Sequence, residues 1–199
     1  MSGHFFIRSM QSNEIRTFFR YIQRDFSPGE YPPYAVLYQQ LQSGIQEGLV
    51  LSSYQDGDFA YSICAAGHAN KYVLVSLLAV FPECRSKGIG SEFMKLMIER
   101  YRSKQALLIE VEKPESSPTP EERNIRSRRI SFYERAGFHL VPGIEYSIWG
   151  VPMHLMILPL QASREEAEGE IGRAMYQIYL ELMGERYIHK MQFRSADYR

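Results

Sequence analysis

One stretch of the chain decides the fold: Leu77–Gly90, LLAVFPECRSKGIG. Its apolar first half predicts a buried strand, and residues 91–99 behind it carry apolar residues at helical spacing. Arg85–Gly90, with two glycines, predicts the turn from that strand onto the helix N-terminus. Helix N-termini present backbone N–H groups that lack intrahelical partners, and glycine lets a phosphate approach the backbone closely. The stretch therefore predicts a binding site for a pyrophosphate.

Two common phosphate-binding motifs do not fit this turn. A P-loop requires a lysine directly after its second glycine, whereas Lys87 precedes Gly88. A dinucleotide-binding fingerprint requires a third glycine three residues after Gly90, and that position is Phe93. The pyrophosphate must therefore belong to another kind of ligand.

The pattern Arg85-x-x-Gly88-x-Gly90 after Leu78-Ala79-Val80 resembles the acyl-CoA loop of the GNAT acetyltransferase superfamily. A second motif, residues 130–138 (ISFYERAGF), is similar to a later helix of that family, which carries a tyrosine and ends on Gly-Phe. The two motifs occur in the family's order, and the resemblance covers residues 7–160. It implies a bacterial-type member with a mixed α/β sheet, the GNAT-like acyl-CoA N-acyltransferase fold.

The resemblance also implies which residues bind acetyl-CoA, the cosubstrate, and it implies no metal. In the family, backbone N–H groups of the loop hold the pyrophosphate, and a backbone N–H of the preceding strand polarises the thioester carbonyl. We therefore expect substitution of Gly88 to weaken binding more than substitution of Lys87. The matching positions are Leu78, Ala79, Val80, Arg85, Ser86, Lys87, Gly88, Ile89, Gly90, Ser91 and Tyr133.

Acyl transfer to an amine also needs a general acid and a general base. Tyr133 matches the family's tyrosine, whose phenol can protonate the departing thiolate when it is correctly positioned. Glu110 is the predicted base; it shares one face of a strand with Glu112, and partial burial would raise the pKa of such a carboxylate. A water chain, or no base at all, is the alternative. Cys84 lies beside the loop, but no histidine is near it in sequence, so we read it as a packing residue.

The helix that carries Tyr133 departs from the commoner family pattern. Asparagine is frequent seven residues before the tyrosine and alanine four residues before it, and these positions hold Arg126 and Arg129. With Arg123 and Arg128 they make the start of the helix basic. Such a cluster either grips a phosphate or acidic group, or forms a solvated face.

Composition excludes several classes of protein. The chain has 199 residues, and 23 Lys and Arg balance 23 Asp and Glu, which gives no electrostatic argument for nucleic acid or an anionic membrane. No apolar run has the length of a membrane-spanning helix, and no signal-peptide core is present. Two cysteines form neither a disulfide framework nor a zinc motif, and the histidines, His68 among them, lack metal spacing. We expect a cytoplasmic protein.

Residues 1–160 are expected to form the GNAT domain and residues 161–199 a C-terminal helical extension. Asp56-Gly57 predicts a hairpin, a second helix is expected over residues 34–46, and residues 113–122 are expected to form a loop. Ser163 begins a capping box, and an apolar stripe reaches about Arg186. The stripe packs either on the same domain or on a homodimer partner.

The predicted activity is acetyl transfer from acetyl-CoA to a primary amine, by direct attack in a ternary complex. The alternative is a non-catalytic acyl-CoA-binding module that acts through partners, and a nucleotide-binding protein is a distant third. The acceptor is not readable from the sequence, although Tyr31, Tyr34 and Tyr38 would lie near the family's acceptor groove.

Overall fold

The computed structural model describes residues 4–66 and 71–195, and the chain divides into two compact units. Unit 1 contains the described residues of 1–69 and 76–97, and unit 2 contains those of 70–75 and 98–199. Helices are interspersed among the strands along the chain, and most of the described strand pairs are antiparallel. The predicted mixed α/β class is confirmed. None of the described helices is long and apolar enough to cross a membrane.

Unit 1 combines an antiparallel set of strands with helices. Its elements are β1 (Phe5–Ser9), α1 (Ile15–Asp25), α2 (Tyr34–Gln42), β2 (Gln46–Ser53), β3 (Gly57–Ala65), the second half of β4 (Tyr72–Val80) and the start of α3 (Ile89–Arg100). The strands follow the order β1-β2-β3-β4. The hairpin predicted at Asp56-Gly57 is confirmed, and Gly57 takes the left-handed backbone (φ 83°) that this turn requires.

The core of unit 1 lies between α1, α2 and the strands. Helical spacing places Phe18 and Ile22 on one face of α1, where they join a cluster with Leu37, Tyr61 and Phe81.

The second helix is shorter than predicted. It ends at Gln42 instead of Gln46, because Gly44 turns the chain with a φ of 75° and Gln46 already pairs with Ala65 as the first residue of β2.

Unit 2 is built on a second run of strands. Its elements are the first half of β4, the end of α3, β5 (Ala106–Glu112), α4 (Pro120–Arg135), β6 (His139–Leu140), β7 (Ile144–Ile148), β8 (Val151–Pro159), α5 (Arg164–Met183) and β9 (Met191–Ser195). The strands follow the order β4-β5-β8-β7-β9, and β6 also pairs with β8. The β4–β5 pair is parallel, with Tyr72–Leu74 opposite Ala106–Leu108.

Helix α4 begins inside the segment predicted as a loop. Thr119 is its N-cap and accepts a hydrogen bond of 3.2 Å from the Glu122 N–H, and Pro120 is the first helical residue. Both are preferred residues for these positions. The loop prediction for residues 113–122 is therefore wrong for its last three residues.

The C-terminal region begins as predicted and then departs from the prediction. The capping box of Ser163 and Glu166 is present, and Ile171, Met175 and Ile178 are buried against the chain's own unit 2, where α5 packs on β8. Helix α5 ends at Met183, three residues before the predicted end, because Gly184 follows with a φ of 69°. An unpredicted strand, β9, then pairs antiparallel with β7.

Candidate active site

The predicted pyrophosphate loop lies in unit 1, between β4 and α3. A single 3₁₀ turn, Pro82–Cys84, leads out of the strand, and the chain then passes through two left-handed residues, Ser86 (φ 61°) and Gly88 (φ 78°). Serine tolerates this backbone poorly and glycine well. The loop therefore holds an unusual conformation immediately before the first residue of the helix.

The start of α3 offers several backbone donors. The N–H of Glu92 donates to the Gly88 carbonyl at 3.1 Å, so the amides of Ile89, Gly90 and Ser91 precede the first bond of the helix. A Cβ built on Gly88 meets no atom within 4 Å, which shows that this side of the loop is open. Backbone donors at the positive end of a helix, beside an open glycine, suit the binding of a phosphate group.

The basic side chains of the loop are held inside unit 1. Arg85 donates from Nε to the Val80 carbonyl at 3.0 Å and from its other end to Asp25 at 3.1 Å. Lys87 Nζ donates to the Glu83 carbonyl at 2.7 Å. These contacts shape the loop, and they occupy hydrogen-bond donors of both basic side chains.

The end of β4 has one buried and one more open face. Leu77 and Ala79 are buried, whereas Ser76, Leu78 and Val80 are half-buried. The Ser76 Oγ atom is shielded from solvent and has no hydrogen-bond partner among the described residues. This half of the strand therefore carries a partly open face that leads to the loop.

Tyr133 lies in unit 2, in the last turn of α4. The helix ends as the sequence predicts: Gly137 is left-handed (φ 98°), its N–H donates to the Glu134 carbonyl at 2.9 Å, and the Phe138 N–H donates to the Tyr133 carbonyl at 3.1 Å. This is a Schellman motif. The Tyr133 ring is 8% exposed and lies edge-on to Phe132 and Phe138, with ring centres 5.0 and 5.9 Å away. Its position is fixed by packing.

Glu110 lies on β5 of unit 2, and two phenols bind its carboxylate. Tyr146 on β7 donates to Oε1, and Tyr179 on α5 donates to Oε2 at 2.7 Å. Burial raises the pKa of Glu110, and the two hydrogen bonds from the tyrosines only partly offset that rise. A carboxyl group with a raised pKa, held by two neutral phenols, has the properties of a general base.

A comparison with sequence models of protein families identifies the family that this site resembles. The sequence model described as "Acetyltransferase (GNAT) domain" matches residues 47–140, which include the loop, Glu110 and Tyr133. Residues 47–140 therefore resemble a GNAT acetyltransferase domain. The recognition made from the two sequence motifs and the acyltransferase class are thereby confirmed. A comparison with curated proteins gave no match.

Solved structures share the fold of the GNAT domain. A Bacteroides thetaiotaomicron protein assigned to the GNAT family of acetyltransferases superposes with a TM-score of 0.71 at 20% identity, over 90% of this chain and 98% of that one. The ribosomal-protein-S18-alanine N-acetyltransferase of Escherichia coli gives 0.58 at 16%, over 81% and 97%. The spermidine N-acetyltransferase of Vibrio cholerae, in complex with CoA and spermine, gives 0.59 at 11%, over 78% and 95%.

Two of the arginines at the basic start of α4 are paired with the Glu112 carboxylate. Arg126 donates to the Glu112 carboxylate at 3.0 Å and to the Lys113 carbonyl at 3.0 Å, and Arg129 lies 3.8 Å from Glu112. These ion pairs favour a structural role for Arg126 over a grip on phosphate. The two carboxylates of β5 therefore differ in their partners, since Glu112 is bound by arginines and Glu110 by phenols.

Other candidate ligands form no cluster. Within residues 4–66 and 71–195, no group of three or more His, Cys, Asp and Glu side chains could hold a metal ion. His154 contacts Glu115 at 3.1 Å and His139 contacts Glu168 at 2.8 Å, whereas His68 lies outside the described residues. Cys64 and Cys84 are not joined in a disulfide.

The sequence reasoning missed the two tyrosines that bind Glu110. Tyr146 and Tyr179 both lie outside the segment that the GNAT family model matches. A signal existed for Tyr179, which follows Met175 by four residues and so shares the buried face of α5. No sequence signal pointed to Tyr146, because its contact with Glu110 depends on the pairing of three strands.

Proposed function

We propose that the protein transfers the acetyl group of acetyl-CoA to a primary amine by direct attack in a ternary complex. The observation that carries the proposal is the loop before α3: an open, left-handed Gly88 and three helix-start amides, within the segment that the GNAT model matches. Residues 1–160 are the proposed catalytic domain, and acetyl-CoA and the amine are its proposed partners.

The cosubstrate is assigned to unit 1. Backbone amides of residues Arg85–Ser91 bind the pyrophosphate, and the Leu78–Val80 segment of β4 lies along the pantetheine, where one of its N–H groups polarises the thioester carbonyl. The half-open face of this strand and the unpartnered Ser76 Oγ support that assignment.

The chemistry is assigned to two residues of unit 2. Glu110 accepts the proton that the attacking amine loses, and the amine nitrogen forms a bond to the carbonyl carbon. The carbon–sulfur bond then breaks, and Tyr133 donates a proton to the departing thiolate to give CoA and the N-acetylated amine. The raised pKa of Glu110 supports the first role, and the packed position of Tyr133 supports the second.

The binding half of the proposal is tested by calorimetric titration with acetyl-CoA. The Gly88→Asp variant is expected to lose on the order of tenfold or more in affinity, because it strains the loop and adds a negative charge beside the phosphates. Gly150→Asp is the matched control: Gly150 has a φ of 80° and open space around it, but it lies in the β7–β8 turn. Equal affinities for both variants would contradict the site.

The transfer half is tested by CoA release with amine acceptors. Spermidine and a peptide that begins with alanine are the first probes, since structural neighbours of the fold act on such amines. CoA should be measured by chromatography, because the half-buried thiol of Cys84 would react with a thiol reagent. Binding without CoA release across a wide panel of amines would favour the non-catalytic acyl-CoA-binding module. The cytoplasmic location stays a prediction.

A further inference from the structure

Three separate elements of unit 2 meet at the Glu110 carboxylate. Strand β5 carries Glu110, β7 carries Tyr146, and α5 carries Tyr179. Each carboxylate oxygen accepts one phenol hydrogen bond, at Oε1 from Tyr146 and at Oε2 from Tyr179 over 2.7 Å. Tyr146 is 3% exposed, so this contact is closed to bulk water. The carboxylate is therefore fixed in both position and rotation.

Both phenols donate to the Glu110 carboxylate. Burial, and next the charge of Glu110, raise the pKa of both Tyr146 and Tyr179 well above that of an ordinary phenol. They remain protonated throughout the pH range in which an enzyme works, so neither can serve as a base. A carboxylate oxygen that accepts one hydrogen bond keeps a second lone pair. Glu110 is thus held by its partners and still able to take a proton.

The partners of Glu110 differ in kind from those of its neighbour on the strand. Glu112 is paired with a cation, the guanidinium of Arg126, at 3.0 Å. Burial and the hydrogen bonds of Tyr146 and Tyr179 are the influences that act on the ionisation of Glu110. Neutral donors stabilise a carboxylate less than an arginine does, so Glu110 keeps a proton affinity that is useful for catalysis.

We propose that Tyr146 and Tyr179 are positioning residues for Glu110, and that the C-terminal helix α5 thereby belongs to the catalytic apparatus. The inference rests on the proposed function, in which Glu110 is the general base. Neither tyrosine gives up its proton during the reaction. Each holds one oxygen of the carboxylate and stabilises its ionised form, while the amine proton passes to the remaining lone pair of Glu110.

The first test measures Glu110 itself and needs no substrate. In protein labelled with carbon-13 at the glutamate carboxyls, the Glu110 resonance is assigned with Glu110→Gln and titrated. Removing one phenol removes a hydrogen bond to the charged form, so Tyr179→Phe should raise the apparent pKa by about one unit. Tyr146→Phe should act in the same direction. Tyr176→Phe, on an exposed residue of the same helix, should leave it unchanged.

The second test is the pH profile of CoA release. Activity requires ionised Glu110, so a raised pKa should move the acidic limb of the profile of Tyr179→Phe upward by about one pH unit. Turnover at neutral pH should fall about threefold to tenfold, while the KM for acetyl-CoA stays within about twofold. Loss of packing alone would lower activity at every pH and leave the limb where it was.

The outcomes separate the two levels of the proposal. If Glu110→Gln keeps full turnover, Glu110 is not the base and both the assignment and this inference are wrong. If Glu110→Gln is inactive while Tyr179→Phe and Tyr146→Phe leave the resonance and the acidic limb unmoved, the base stands and the positioning role is overturned. Each phenylalanine variant removes one oxygen atom, and a thermal melt of each confirms that the fold survives.

Discussion

Arg85 donates a hydrogen bond of 3.1 Å to the carboxylate of Asp25, which lies sixty residues earlier in the chain at the end of α1. The Asp25 side chain is 5% exposed and also accepts hydrogen bonds from Arg24 at 2.8 Å and Tyr61 at 3.0 Å. Because Arg85 also binds the Val80 carbonyl, Asp25 anchors the proposed pyrophosphate loop to the first helix of unit 1.

Replacing Asp25 should therefore loosen the loop. Burial acts to raise the pKa of Asp25, but the hydrogen bonds from Arg24 and Tyr61 and the nearby arginine charges outweigh it and leave the pKa below its ordinary value. The ionised carboxylate thus contributes stability at neutral pH that is lost as the solution is acidified through this lowered pKa. Asp25→Asn should lower the free energy of unfolding by about 1–2 kcal/mol, a figure reduced because the arginines are partly exposed.

The same variant should bind acetyl-CoA about threefold to tenfold more weakly, as calorimetry would measure. Asp58→Asn is the control, since Asp58 is also paired with an arginine of unit 1, Arg8, but lies at the β2–β3 hairpin. A loss of stability with unchanged affinity for acetyl-CoA would mean that Asp25 does not shape the binding loop.

Tyr133→Phe should separate binding from turnover. The substitution keeps the aromatic ring, which packs against Phe132 and Phe138. The fold and the affinity for acetyl-CoA should therefore change little. Loss of the proposed proton donor should lower kcat by at least about tenfold. Tyr101→Phe, which removes a hydroxyl from another buried tyrosine, is the control. Equal turnover for Tyr133→Phe and the parent would remove Tyr133 from the mechanism.

Local signals predicted the parts of the site that depend on local structure. The glycine loop before α3 and the end of α4 at Gly137 are both set by backbone conformations that only a few residue types adopt, and both are present where expected. The start of α4 at Thr119-Pro120 also depends on local sequence. The N-cap and first-turn residues there are typical of a helix start, but the prolines of residues 113–122 favoured the prediction of a loop.

The environment of Glu110 could not be predicted in the same way. Tyr146 lies 36 and Tyr179 69 residues after Glu110, and their contacts depend on strand register and on the packing of α5. The formation of β9 also depends on a distant segment, because its five residues of alternating exposure form a strand by pairing with β7. A pattern within one segment carries no information about which distant segment will lie beside it.

Ser163→Ala should destabilise the helix that carries Tyr179. The Ser163 hydroxyl accepts from the Glu166 N–H at 3.2 Å, and the Glu166 carboxylate accepts from the Ser163 N–H at 2.9 Å. Loss of this cap should cost about 1 kcal/mol and lower Tm by about 2–4 °C in a thermal melt. Thr119→Ala removes a one-way cap from α4 and should cost no more. A larger effect of Thr119→Ala would contradict the reciprocal box.

Glu110→Gln should abolish turnover, and yet its stability relative to the parent should increase as pH rises. Because burial raises the pKa of Glu110, its ionisation is harder in the folded protein than in the unfolded chain, and the parent loses stability as pH increases from the ordinary glutamate value through the raised one. Glutamine does not ionise. The free energy of unfolding of the variant, relative to the parent, should therefore be constant below about pH 4 and increase above it.

Denaturant unfolding at a series of pH values between about 4 and 8 would measure this difference. Glu112→Gln is the matched control on the same strand, because it breaks the ion pair with Arg126 and should cost about 0.5–1 kcal/mol at neutral pH. The two substitutions should thus change stability in opposite directions at pH 8. If Glu110→Gln loses stability in parallel with Glu112→Gln, then Glu110 is a structural carboxylate. In that case its buried charge does not reduce the stability of the parent for the sake of function.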